Sequence, residues 1–554
     1  GIGLLSDALI PFANATTAAS GSSPAVALGF PSVQKSVLDS VQLPPGYSYK
    51  ILHASGDPLT EKVPPFSNQG LELDDWSARI GDQHDGMDIF YIDEKGQYTE
   101  HDTGRALLVV NHESSAESHF LHPKGQTSNG KQGKKFGQFG AWDLGSRPEL
   151  EVLKEINLHG VSVVEMTKGP QGWSYRLDSP LNRRLTAQTP MTVHGPQAEL
   201  NNIRALMVTA FDPKGATVRG TLNNCGHGKT PWGTYLTCEE NWARYFQIAP
   251  DAAPLDAKAQ TSLKRYGAVS SPLNPLIPRA LSQGWHTVSE TDNRFTRWNI
   301  AASGASASQE FRNEANTFGF IVEIDPVKRE AVAAKRVALG RFAHEAAVCG
   351  IPKAGAPLAF YMGCDTRNEY IYKFVSAAPW EPKDVGGGMA VGDKYLNEGT
   401  LFVAQFTADG TGKWLELTLT DPKIASYAKY AFANQADVLV NARLAADAVG
   451  ATPMDRPEWG AVNHKNGDIY FALTNSNAAN RNPTKVDAAN PRAYTDVDGK
   501  KNSGNPNGHI IRFHEQNDRS TALQFQWDIF LFGAEEDAGA ANLSGLTTNN
   551  SFSS

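Results

Sequence analysis

One short stretch carries two kinds of metal ligand at its two ends: Asn224-Cys225-Gly226-His227-Gly228-Lys229-Thr230-Pro231-Trp232-Gly233-Thr234-Tyr235-Leu236-Thr237-Cys238-Glu239-Glu240-Asn241. Thiolate suits a transition metal, whereas carboxylate suits a hard cation such as calcium. Cys225 lies in a glycine-rich turn, where little side-chain bulk keeps an ion away. Successive side chains on a strand point to opposite faces, so Glu239 and Glu240 cannot serve one site in the same way. Cys225 and Cys238 read equally as a local disulfide or as a metal ligand with a buried neighbour. Gly228-Lys229-Thr230 fails as a phosphate loop, because Asn223 stands where a glycine is required and no strand-loop-helix context follows.

Acid-bearing strand ends recur along the chain. Asn111-His112-Glu113 follows the apolar run Ala106–Val110, and its oxygens suit calcium, although such a trio also reads as a turn cluster. His344-Glu345 enters an apolar segment, where a carboxylate is costly unless paired or metal-bound. His344 alone reads as structural. Asp365-Thr366-Arg367-Asn368-Glu369 tips a hairpin between two apolar runs. In Asp455-Arg456-Pro457-Glu458, the proline holds an arginine and a glutamate in a set relation. Arginine suits bidentate phosphate recognition. Asn475 adds a neutral oxygen at the next strand end, and Arg481 lies in the polar loop beyond it. Each feature alone reads as a solvated turn. Their repetition beside apolar strands predicts one converged site.

The elements that must bring these residues together are strands. Gly169-Pro170-Gln171-Gly172, Asp409-Gly410-Thr411-Gly412 and Lys465-Asn466-Gly467 each join two apolar runs as hairpins. Many antiparallel hairpins without alternating helices argue against a parallel α/β sheet and leave a sandwich or a propeller. A propeller gathers strand starts from separate blades at one end of a central channel, and is the expected all-β architecture. Ser426 to Ala446 contains the clearest helix pattern, with Tyr430, Phe432, Val438, Leu439 and Leu444 as its apolar positions, and is expected as an insertion between blades. With 554 residues, 50 glycines and 32 prolines, the chain suits many short strands and turns. A net charge of −8 argues against a nucleic-acid backbone partner. Four cysteines exclude a disulfide scaffold. No run is long enough for a membrane-spanning helix. Residues 1–15 read as the tail of an export signal, leaving 16–554 as one domain.

These pieces resemble the exported calcium-dependent alkaline phosphatases of the PhoX family. The resemblance rests on Leu107–Glu113, the stretch Cys225–Asn241, Phe320–Pro326 and Arg341–Ala346. It continues through Tyr361–Asp365, Glu369–Ser376, Gly399–Ala404 and Arg456-Pro457-Glu458. It implies a six-bladed β-propeller with loop and helical insertions, and a cofactor of two ferric ions with an oxo bridge and three calcium ions. It implies that Cys225 binds iron, and that Glu239 or Glu240, with Asn111, Glu113, Glu345, Asp365 and Glu458, binds metal. Arg456, and with it Arg367 or Arg481, would hold the phosphoryl group. Export by the twin-arginine route to the periplasm or beyond, a monomeric state and small phosphate esters as substrates are also implied.

The expected reaction is hydrolysis of phosphate monoesters at the metal cluster, with no serine or threonine nucleophile. Two rivals make different demands. A calcium-dependent propeller lactonase or esterase would use Glu458 and Asn475, without need of Cys225 or a phosphate-binding arginine. A non-enzymatic binding propeller would leave the acidic tips as solvated turns.

Overall fold

Apolar runs closed by turns become antiparallel ladders in the computed structural model. It describes residues 28–34, 36, 38–67, 69, 75–114, 122–136, 142–248, 252–268, 282–495 and 501–533. The export-signal reading of 1–15 lies outside them. In the first run, β1 (His84–Ile92), β2 (Arg105–His112), β3 (Gly160–Gly169) and β4 (Gly172–Tyr175) pair in order. The expected turn joins the last two, where Gly169 faces Gly172 and Gly172 has φ +85°.

The second run is β5 (Asn224–Lys229), β6 (Tyr235–Glu239), β7 (Ile321–Ile324) and β8 (Ala334–Arg336). The third is β9 (Val348–Cys349), β10 (Pro357–Gly363), β11 (Ile371–Pro379), β12 (Gly399–Phe406) and β13 (Thr411–Glu416). The fourth is β14 (Pro457–Val462), β15 (Ile469–Leu473), β16 (His509–Glu515) and β17 (Gln524–Phe532). Pairing of β13 with β17 joins the last two runs into one nine-stranded antiparallel sheet.

The first strands of the runs meet: β1 packs on β5, β5 on β9, and β9 on β14. They approach backbone to backbone, which only glycine permits at the crossing points. A Cβ on Gly226 would sit 1.1 Å from the Glu345 carbonyl oxygen, and one on Gly86 would sit 2.7 Å from that of Cys225. This close approach turns four separate strand starts into one lining.

The described ladders form four such runs with shorter ladders beside them, a mostly antiparallel β architecture. Long stretches between β6 and β7 fold instead as short helices and turns, including Trp242–Tyr245, Ala257–Tyr266, Trp285–Val288 and Asn293–Thr296. The helix expected from Ser426 to Ala446 is broken. Helices Pro422–Ala425, Gln435–Val440 and Ala442–Val449 replace it. Asn434 caps the second by accepting from the Asp437 N–H, and Asn441 (φ −116°, ψ 44°) interrupts the path into the third. No described helix is long and apolar enough to cross a membrane.

Candidate metal and catalytic site

The β5–β6 hairpin explains the spacing of the motif. Asn224 pairs with Glu239, and Cys225 and Glu240, one on either side of that pair, reach each other diagonally across the ladder although 15 positions separate them. A bulge between Asn224 and His227 re-aims the thiol at the strand start. Trp232, at the hairpin tip, donates from its indole N–H to Glu323 and anchors the far end.

Neighbouring strands add their own acids at the same end. Asp85 opens β1, Glu113 follows β2, Glu345 precedes β9, Asp365 follows β10, and Glu458 lies at the start of β14. The ligand atoms of Cys225, Glu240 and Glu345 lie within 4.8 Å of one another, as do those of Asp85, Glu113 and Cys225. Cys225 therefore belongs to both groups. Its thiol donates to Glu240 Oε2 at 2.7 Å.

This clustering is electrostatically expensive. Burial, then the charges of Asp365 and Glu113, push the Glu240 carboxyl well above the usual range. Burial, then Glu240, Asp365 and Glu458, does the same to Glu345. Burial lifts Asp85 to about 6, and burial with Asp365 beside it lifts Glu458 to about 7. The Cys225 thiol is pushed well up, by burial first and then by Glu240 and Glu345. So many acids in one buried pocket fit a set of multivalent cations, whose charge reverses every one of these shifts. A thiol among carboxylates also matches a mixed soft and hard donor set.

Arg456 closes the acid cluster on one side. Its guanidinium donates twice to Asp365, at 2.8 Å each, and lies 2.8 Å from Glu458. The fork geometry fixes its plane. Arg456 has φ +59°, a left-handed backbone that turns the side chain back toward Asp365. Arg367 lies farther out and exposed, donating to Asn475 Oδ1 at 2.9 Å.

Other expected site residues are engaged elsewhere. Glu239 is buried with one oxygen on the Lys335 ammonium and the other accepting from the Gly319 and Phe320 N–H groups. Asn111 spends its amide on the Cys225 and Gly226 carbonyls, at 2.7 and 2.8 Å, and its oxygen accepts from Thr237. Its amide N–H groups thus brace the thiol turn. Arg481 is buried on Asp455 and the Lys485 carbonyl, so its guanidinium is committed to the fold. Asn475 is taken by Arg367. His344 is structural as expected, bonded to the Gly340 carbonyl and stacked on Phe342. All four cysteines are free, which removes the disulfide reading of Cys225 and Cys238.

Asp85 was not among the residues expected at the site. Its signal is the same acid at a strand start, but Asp82, Asp85 and Asp88 share that segment, and pattern alone does not choose among them.

A mostly antiparallel frame with a buried, mixed thiolate and carboxylate cluster at one end defines a metal-dependent β-class enzyme. The family model described as "Alkaline phosphatase PhoX" matches residues 28–554. A solved structure, "Pseudomonas fluorescens PhoX in complex with vanadate, a transition state analogue", is similar over 95% of this chain and 80% of that one, with 32% identity and a TM-score of 0.76. Among curated proteins, no sequence relative matches. The chain belongs to the PhoX alkaline phosphatase family. Its class is therefore a metal-dependent phosphomonoester hydrolase, as the sequence reading expected.

Proposed function

We propose that this phosphatase works through an iron and calcium centre held by Cys225, Asp85, Glu113, Glu240 and Glu345, with Asp365 and Glu458 at its margin. The observation that carries this reading is the double membership of Cys225 in two ligand groups. A single thiol shared by two carboxylate sets suits a multinuclear centre with one softer position. Two ferric and three calcium ions are the composition that the family resemblance implies. When bound, the cations would neutralise the phosphate dianion and favour attack of an oxygen on phosphorus.

The remaining chemistry belongs to the chain. Asp365 and Glu458 hold the Arg456 fork rigid at the edge of the cluster. Arg456 would there take charge on the equatorial phosphoryl oxygens. Arg367, exposed beside it, would meet the substrate at the rim. Asn111 keeps the Cys225 turn in place. Burial of Cys225, Glu240 and Glu345 excludes bulk water from the donor atoms and strengthens their interaction with cations.

Elemental analysis of the purified protein, paired with turnover of a phosphate monoester before and after chelation, tests the proposal. Iron and calcium together, with activity lost on chelation, support it. A protein free of iron that is fully active overturns the role of Cys225. Lactone turnover exceeding phosphate-ester turnover would instead favour the esterase reading, which needs neither Cys225 nor Arg456.

Two finer expectations belong to the same proposal. A six-bladed frame needs ladders beyond the four described runs, and an experimental structure would count them. Export to the periplasm or the medium rests on the family resemblance, and cell fractionation tests it.

A further inference from the structure

The lining strands have two ends, and the end away from the acid cluster is also hollow. A cavity of about 550 Å³ opens there, within the size range of small-molecule sites. All four first strands reach it: Asp88 and Tyr91 from β1, His227 and Lys229 from β5, Cys349 from β9 and Trp459 from β14. Tyr98 completes the wall, and Glu100 stands at its exposed rim. Cys225 and His227 are two apart on β5, so this strand serves the acid cluster at its start and the cavity farther along.

The charges of the cavity are balanced internally. Asp88 lies 3.1 Å from His227 Nε2 and 3.6 Å from the Lys229 ammonium. Lys229 also donates to the Ile89 carbonyl at 2.7 Å and lies 4.5 Å above the Phe90 ring. Its charge is thus already spent, and Glu100 adds a negative group. A phosphate dianion would find Lys229 and His227 already paired with Asp88, and only the exposed His464 ring beside them. Polar donors and acceptors remain, between the half-buried faces of Trp459, Tyr91 and Tyr98. The Trp459 ring is held edge-on against His227 at 5.3 Å, and His227 stacks on Tyr235 at 5.3 Å. Aromatic side chains beside a polar floor whose charges are paired suit a ring that is apolar on its faces and hydroxylated at its edge.

We propose that this cavity is a second binding site, for a neutral sugar, on the part of the lining strands away from the acid cluster. The proposal stands on the cavity's own residues and does not depend on the metal content of the other end.

Calorimetric titration of the metal-loaded, full-length chain with methyl α-glucoside tests it. The expected result is saturable binding that persists in excess inorganic phosphate. Tyr98→Ala and Tyr91→Ala should each weaken it by about 10-fold or more, with phosphate-ester turnover unchanged. Tyr98→Phe serves where Tyr98→Ala does not fold, since it removes only the hydroxyl. Weakening in Tyr91→Ala or in either Tyr98 variant supports the site. Absence of saturable binding, binding unaltered in all the folded variants, or displacement by inorganic phosphate overturns it.

Discussion

Glu239 and Glu240 are chain neighbours whose carboxylates lie on opposite sides of one strand end. Glu239 is bound into the fold by Lys335 and two backbone N–H groups, while Glu240 accepts the Cys225 thiol. The two variants should therefore separate. Glu239→Gln leaves the buried Lys335 charge under-compensated and should cost about 3–5 kcal/mol of stability, with metal content per folded molecule unchanged. Glu240→Gln should lower metal content and leave stability of the stripped protein equal or higher. Denaturant melts and elemental analysis on both proteins check this; equal metal loss in the two would refute the division.

Cys225→Ala should fold and lose the softer metal along with activity. Asn111→Ala removes the two amide bonds that hold the turn carrying the thiol. By analogy with other outer-shell partners, it should weaken metal affinity by about 10- to 100-fold. Competitive chelator titration measures this directly, and unchanged affinity would show that the turn holds itself.

Arg456→Lys keeps a positive charge but loses the planar fork on Asp365. If the guanidinium stabilises the transferring phosphoryl group, kcat/KM should fall by about 10³-fold, with inhibition by vanadate weakened in parallel. A drop in activity with vanadate affinity intact would move Arg456 from substrate contact to ligand orientation.

Metal-free protein should lose stability as pH rises from about 4.5 to above 7. Glu458 (about 7) and Asp85 (about 6) are raised in the folded state, so the native protein binds more protons than the unfolded chain across this window. Stability therefore falls with rising pH until both groups have ionised. Multivalent cations should abolish this slope, since they favour the ionised carboxylates. Thermal melts across pH, with and without chelator, give the comparison; a metal-free protein that gains stability over the window would contradict it.

Gly226→Ala places a methyl 1.1 Å from the Glu345 carbonyl oxygen and should cost at least about 3 kcal/mol. Gly169→Ala, where nothing lies within 4 Å, is the matched control and should fold normally. Similar stability losses in both would mean that backbone flexibility, not close approach, sets the requirement.

Much of this was readable along the chain. Apolar runs broken by Gly-containing turns placed the hairpins, because strand period and turn chemistry are local. Acids at strand ends marked Glu113, Glu345, Asp365 and Glu458 for the same reason. The helix candidate within Ser426–Ala446 forms as two short helices broken at Asn441, because apolar spacing is satisfied equally by one helix or by two.

Side-chain direction was not local, and the folded arrangement alone settled it. Glu239 met Lys335 from another strand, Arg481 met Asp455, and Asn111 met the Cys225 turn. Each choice depends on which partner the packing brings within about 3 Å, and those partners lie 96, 26 and 114 positions away. Residue types thus established that a thiol and several carboxylates were available for metal chemistry. Which of them share a pocket follows from the glycine-lined approach of strands distant in sequence.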